Sequence, residues 1–203
     1  MVEDLCQVVR FEPRGCGRSD YDGNYNLETT LGDIEFIRKE YNFNQIIISG
    51  HSAGPDVALA YTIKYSQNVI GLIGIAGGRI VNDKKWSEIY HENLEKQGED
   101  HGGKIFQADP KLSKIGSHTW GEYIRNPNLL GDIAGINIPT VFINAGKDIR
   151  PNWPTQQLAN LIRKGEYFEI KDAAHSIWLT HYDELKTLLR EKIKNIIPDD
   201  RND

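Results

Sequence analysis

Gln45-Ile46-Ile47-Ile48-Ser49-Gly50-His51-Ser52-Ala53-Gly54 is the stretch whose reading decides the fold. Its first half is short, apolar and β-branched, the composition of a buried strand. The residues after it, Asp56 to Tyr65, keep apolar side chains at helical spacing. Between the two lies Gly-x-Ser-x-Gly. A strand, this turn and a helix together form a nucleophile elbow. The chain reverses so sharply there that the neighbours of Ser52 must be small. The strained backbone lifts the hydroxyl above the strand end. The helix that follows aims its unpaired N-terminal amides at the place where negative charge would develop.

An elbow serine needs an acid and a histidine, in the chain order Ser, Asp or Glu, His. Both occur downstream at predicted strand ends. Ile138 to Ala145 reads as a buried strand running into the loop Gly146-Lys147-Asp148-Ile149-Arg150-Pro151. Tyr167 to Ile170 reads as another strand, followed by Lys171-Asp172-Ala173-Ala174-His175. Asp148 and His175 are 27 residues apart, room for one helix and one strand. Loops at the carboxyl ends of parallel strands are where ligand sites form. The candidate catalytic residues are therefore Ser52, Asp148 and His175, with the Ala53 amide as an oxyanion donor. Asp172 and His181 are the rivals. Asp172 sits only three residues before His175, and His181 falls inside a predicted helix.

Strand-like and helix-like runs alternate, which predicts an α/β protein with a mostly parallel sheet flanked by helices. Strands are predicted near 6–11, 45–50, 69–75, 139–145 and 166–171. Helices are predicted near 28–41, 54–66, 153–164 and 179–196. The alternation breaks between 79 and 136. This charged stretch carries Trp86, Tyr90, Phe106, Trp120 and Tyr123 on helix-like segments, with Gly102-Gly103 and Asp109-Pro110 as breakers. The division expected is a core of 1–78 and 137–203 with a helical cap over 79–136. Glu88, Glu92, Glu95 and Glu99 mostly follow helical spacing and read as a solvated face. The tail from Ile197 to Asp203 reads as frayed.

Val8 to Asp20, containing Arg14-Gly15-Cys16-Gly17-Arg18-Ser19, resembles a segment of the α/β-hydrolase superfamily, within it the proline iminopeptidase-like group. Leu31 to Arg38 is similar to the next helix of that group. The Gly-His-Ser-Ala-Gly elbow, the Gly-x-Asp loop and the Ala-His-Ser loop complete the resemblance, over most of 5–78 and 137–195. Glu12-Pro13 replaces the family's Asp-Gln, and Pro55 replaces a second glycine; proline is tolerated in a first helical turn. The resemblance implies a serine hydrolase cleaving a small ester or amide, with aminopeptidase and carboxylesterase activities both open. It also implies a cap that touches substrate, for which Trp120 and Glu122 are the candidates. Arg14 and Arg18 read as loop-fixing residues and His51 as a packing residue.

Relatives have three strands and a His-Gly loop ahead of the segment that begins here near Leu5. Their strand order would leave a gap between 5–11 and 45–50, with unpaired backbone at its sides. Four arrangements fit: a truncated product, a fragment, a chain completed by a partner, or a first strand shifted sideways into the gap. A catalytically impaired remnant acting as a binding protein is the matching alternative for function.

Composition bounds the rest. The 203 residues suffice for one sizeable core. A net charge of −5 gives no basis for binding nucleic acid. No apolar run reaches membrane-spanning length, and no N-terminal signal pattern is visible. Cys6 and Cys16 make no disulfide framework, so the expected setting is cytoplasmic. His91 and His101 lie too far apart to read as a zinc site. The expected chemistry needs no metal and no organic cofactor. Expected partners are a small-molecule or short-peptide substrate, and either a second copy or another chain completing the sheet.

Overall fold

The computed structural model describes residues 1–80, 83–100 and 110–198. The order of elements is α1 (Leu27–Glu40), β1 (Ile46–His51), α2 (Gly54–Lys64), a 3₁₀ turn (Ser66–Asn68), β2 (Val69–Ile75), α3 (Lys84–Gln97), α4 (Pro110–Tyr123), α5 (Leu129–Ala134), β3 (Thr140–Ala145), α6 (Trp153–Leu161), β4 (Gly165–Ile170), α7 (Ile177–Thr180) and α8 (Tyr182–Ile196). Four parallel strands form one sheet in the order β1-β2-β3-β4. Parallel neighbours need crossovers, and helices supply them.

Period-two alternation sends successive residues to opposite faces of the sheet. Leu72 and Phe142 face one layer, where Leu31, Leu59, Tyr61, Ile133 and Leu158 of α1, α2, α5 and α6 pack on them. Ile73, Val141 and Ile143 face the other, against Ile177, Leu185, Leu189 and Ile193. Every residue of β3 is buried, as expected of a strand covered on both faces. Helix α1 starts at a capping box in which Asn26 and Thr29 satisfy each other's backbone amides. Its buried Glu35 takes two bonds from Arg38 (2.9 and 2.7 Å) and one from Tyr61 (2.8 Å), so the carboxylate is paired.

Four of the five predicted strands form. The fifth does not: among the described residues, 6–11 joins no ladder. A strand needs a partner edge as well as apolar residues, and 7–11 make no backbone–backbone hydrogen bond among the described residues. What fixes this segment is its start. Met1, Val2, Leu5 and Cys6 pack on the second layer, and Arg190 of α8 grips Asp4 through two nitrogens at 2.5 and 2.7 Å. The sideways shift into the gap therefore does not occur.

The predicted helix at 179–196 is interrupted. His181 (φ −133°) separates α7 from α8. Within 79–136, α3 is tied to the loop after β3, where Trp86 donates to the Pro151 carbonyl (3.1 Å) and Asn93 to that of Ile149 (3.0 Å). Helix α5 behaves differently, since Leu129 and Ile133 belong to the main core. Phe106, His101, Gly102-Gly103, Asp109 and the tail beyond 198 lie outside the described residues.

Phe142 is fully buried at the centre of the first layer, whereas Phe36 on α1 is 62% exposed. Phe142→Ala is expected to cost about 3–5 kcal/mol of unfolding free energy, and Phe36→Ala under about 0.5 kcal/mol. Urea titrations with an unchanged denaturant slope measure both.

Candidate active site

Ser52 follows β1 directly and adopts the left-handed region at φ +63°. Two neighbouring glycines make this possible. A Cβ on Gly50 would stand 2.3 Å from the Gly54 carbonyl carbon, and one on Gly77 would stand 1.9 Å from the Ser52 carbonyl oxygen. The Ser52 N–H donates to the Ile75 carbonyl at 2.9 Å, which fastens the turn to β2. Ala53, at the head of α2, donates no backbone hydrogen bond among the described residues, and Pro55 sits buried in the first turn.

The loops after β3 and β4 bring two more side chains to Ser52. Nε2 of His175 lies 3.1 Å from Ser52 Oγ, and Nδ1 lies 2.5 Å from Asp148 Oδ2. His175 and Asp148 are both buried. Burial pushes the Asp148 carboxyl up, but bonds from His175 and the Arg150 backbone, with their charges, outweigh it and hold the group below its usual range. The Asp148 backbone amide donates to the Ala145 carbonyl within its own loop (3.3 Å), and the Lys147 amide donates to the Ala173 carbonyl (2.9 Å), tying the two loops together.

The rivals are engaged elsewhere. Asp172 is exposed and pairs with Lys147 at 2.9 Å. His181 is half-buried and faces Thr180. His51 packs between His175 and Trp178, with ring centroids 4.6 Å from each. Its Nε2 donates to the His175 carbonyl (3.1 Å), and burial drops its pKa to about 4, so the ring is neutral. Arg14 is held by Asp22 and Asp33, and Arg18 by Glu12, in agreement with loop-fixing roles. Trp120 stacks on Tyr123 and donates to the Arg79 carbonyl (3.3 Å). Glu122 is exposed and faces His118 at 3.4 Å. Neither lines the cavity that contains Ser52.

Several residues at the site carried no sequence signal. Arg150 bridges Asp148 (3.2 Å) and Glu99 (2.6 Å), so Glu99 is not on the solvated face predicted for it. Asp100 accepts the Ser176 amide at 2.7 Å. A polar cavity of about 150 Å³ opens beside Ser52 and Ala53, lined also by Asp56, Arg79, Asn144 and Asn152. Asn144 is buried, and its Oδ1 has no hydrogen-bond partner among the described residues. Asp56 accepts the Arg79 amide (2.8 Å). Burial lifts its carboxyl to about 7 against the pull of that bond. Only the spacing of Asp56 from Ser52 could have hinted at this.

The sequence-family pattern described as "alpha/beta hydrolase fold" matches residues 3–91. A proline iminopeptidase of Saccharolobus solfataricus is 36% identical over 74 residues, which are 34% of this chain and 24% of that protein. The chain thus spans about a quarter of the length of the curated relative it matches. Among solved structures, a thermophilic esterase from Thermogutta terrifontis superposes with a TM-score of 0.71 at 19% identity, covering 90% of this chain and 78% of that one. An esterase from Exiguobacterium antarcticum gives 0.63 at 19% identity, over 89% and 79%. The sheet order, the elbow and these matches define a protein of the α/β-hydrolase fold. Within that fold, a stretch of 74 residues is similar to a proline iminopeptidase. Among the described residues, no helix is long and apolar enough to cross a membrane.

The raised pKa of Asp56 sets a pH dependence. Its folded value lies above the unfolded one, so between about pH 4 and about pH 7 the folded chain holds the proton more tightly. Stability therefore falls as pH rises through that window. Asp56→Asn keeps the acceptor and removes the charge. It is expected to match the parent near pH 4 and to exceed it by up to about 4 kcal/mol near pH 8, at about 1.4 kcal/mol per unit. Equal urea midpoints at both pH values would contradict this.

Proposed function

We propose that this chain is a serine hydrolase that cleaves a small ester or amide through a covalent acyl intermediate. The carrying observation is the unbroken line Ser52 Oγ–His175 Nε2 (3.1 Å) and His175 Nδ1–Asp148 Oδ2 (2.5 Å), set at a left-handed serine. His175 takes the Ser52 proton as Oγ attacks the carbonyl carbon, and later passes it to the leaving group. Asp148 fixes the imidazole tautomer and stabilises the imidazolium. Its depressed pKa keeps it ionised for that role. The unengaged Ala53 amide, at the positive end of α2, receives the developing oxyanion.

The partial match to a proline iminopeptidase supports an aminopeptidase acting on a short peptide or aminoacyl amide. The fold likeness to two esterases supports the alternative, a carboxylesterase. Residues 79–136 act in this reading as the cap over the site, with α3 tied to the Asp148 loop through Trp86 and Asn93.

A fluorophosphonate probe followed by mass spectrometry is expected to label Ser52, and Ser52→Ala is expected to remove the label. Asp148→Asn should slow turnover by roughly 10⁴-fold while leaving the fold intact. Faster turnover of aminoacyl amides than of acyl esters assigns the peptidase, and the reverse assigns the esterase. A folded protein that takes no label contradicts both and favours a catalytically impaired binding protein.

A further inference from the structure

Glu99 and Asp100 are neighbours in the chain, and each reaches a different loop of the Ser52 site. Glu99 Oε1 accepts from Arg150 Nη2 at 2.6 Å, and Arg150 Nη1 donates to Asp148 Oδ1 at 3.2 Å. Asp100 Oδ2 accepts the backbone amide of Ser176, the residue after His175, at 2.7 Å. The loop after β3 and the loop after β4 are thus both held from one short segment. That segment leaves α3 at Gly98, whose φ of +75° lies in the left-handed region that strains any other residue.

The Asp100 bond fixes one peptide plane. The His175 carbonyl and the Ser176 N–H belong to that plane. His51 Nε2 donates to the carbonyl at 3.1 Å, and Asp100 accepts from the N–H. The second bond is short for a backbone amide, as a charged acceptor makes it. Held at both ends, the plane resists rotation, and the backbone aims the His175 ring at Ser52 and Asp148. Ser176 is buried, so bulk water would not replace a lost acceptor.

Glu99 does a second thing, through charge. A triad acid must offer negative charge to the imidazolium that forms beside it. Arg150 paired with Asp148 alone would cancel that charge. Glu99 shares the guanidinium, so the three groups carry one net negative charge. Burial weakens the Arg150 guanidinium, but the Glu99 bond and the charges of Asp148 and Glu99 outweigh it and hold the group above its usual range. Tyr90 of α3 fixes Glu99 in turn, donating to Oε2 at 3.1 Å. Helix α3 also bonds the carbonyls on both sides of Arg150, Asn93 reaching Ile149 and Trp86 reaching Pro151.

We propose that Glu99 and Asp100 are paired positioning residues, Glu99 holding the Asp148 carboxylate through Arg150 and Asp100 holding His175 through the Ser176 amide. The proposal rests on the serine-hydrolase reading of Ser52. Neither residue lines the cavity that contains Ser52. Their removal therefore slows the chemical step and leaves substrate binding nearly as it was.

Two readouts on the full chain test it: turnover of p-nitrophenyl acetate, and the low-field proton NMR signal of the His175 Nδ1–H bonded to Asp148. Glu99→Ala and Asp100→Ala are each expected to lower kcat by roughly 10- to 100-fold, to change KM by less than about threefold, and to broaden or remove the signal. Asp100→Asn keeps an acceptor and is expected to recover most of the loss. Glu99→Gln keeps the acceptor without the charge and is expected to stay at least about threefold below the parent. Being isosteric, it carries the test where an alanine variant does not fold. The double alanine variant is expected to lose less than the product of the single losses, because both act on one His175–Asp148 bond. Glu95→Ala, at an exposed acid of α3, is the control and is expected to change neither readout. Unchanged kcat and signal in both folded alanine variants would overturn the proposal. A rise in KM alone would also overturn it, since it would mean contact with substrate. A parent that neither turns over nor takes a fluorophosphonate label refutes the serine-hydrolase reading instead. The NMR signal then decides alone: its loss in the alanine variants supports the positioning roles, and its persistence there, or its absence from the parent, overturns them.

Discussion

The left-handed turn at Ser52 is the constraint on which the site rests. A non-glycine residue at φ +63° is strained, and strain persists only where the surroundings over-determine it. Here they do so from three sides. The Ser52 amide is bonded to Ile75, Gly50 lets the start of α2 approach β1, and Gly77 lets the next loop pass over the Ser52 carbonyl. A side chain at either glycine would meet backbone, which cannot swing aside. The same turn points Oγ toward the loops after β3 and β4 and sets α2 on its course into the core. Ala58, Leu59, Ala60 and Tyr61 are buried along that course. The nucleophile and the packing of the first layer therefore share one backbone conformation.

Asp148 shows how that geometry becomes electrostatics. A carboxylate as buried as this one loses hydration, which by itself favours the neutral acid. It stays charged because His175 and the Arg150 amide bond it and Arg150 adds a nearby positive charge. Arg150 is in turn held by Glu99, at the end of the segment that follows α3. The acid's ionisation is thereby coupled to where α3 sits, through the Arg150 side chain. Asp56, a few residues along from Ser52, has no cationic side chain bonded to it and goes the opposite way. Two aspartates bordering one cavity thus have carboxyls shifted in opposite directions, one bonded by an imidazole and the other by a backbone amide.

What could be read in the sequence was whatever short-range chemistry dictates. The elbow declares itself because its glycines are needed within five residues. Strands β1 to β3 declare themselves because buried parallel strands are continuous apolar runs, whereas β4, at the sheet edge, carries Glu166 and Glu169. Ser52, Asp148 and His175 could be picked because each sits at a strand end in a fixed chain order. Two of the failures were non-local. The stretch 6–11 has the pattern of a strand, but pairing requires an edge that periodicity cannot see. Glu99 has helical spacing with Glu88, Glu92 and Glu95, yet Arg150, far along the chain, draws it inward. The break at His181 lies in an apolar run whose pattern reads as one helix, and only its backbone angles reveal two.

The two cavities around the elbow divide the surroundings of Ser52 by chemistry. On one side is a polar space of about 150 Å³, lined by Asp56, Asn144 and Asn152, and on the other an apolar space of about 640 Å³. Pockets for drug-sized ligands run to roughly 300–1,000 Å³, so the polar one has room only for a small group or a water. Asn144 Oδ1, buried and unpaired, asks for a donor there. The apolar space is large enough for a ligand. Ala53 borders both spaces. Its amide, proposed above as the oxyanion donor, therefore stands at the boundary between a polar and an apolar surrounding.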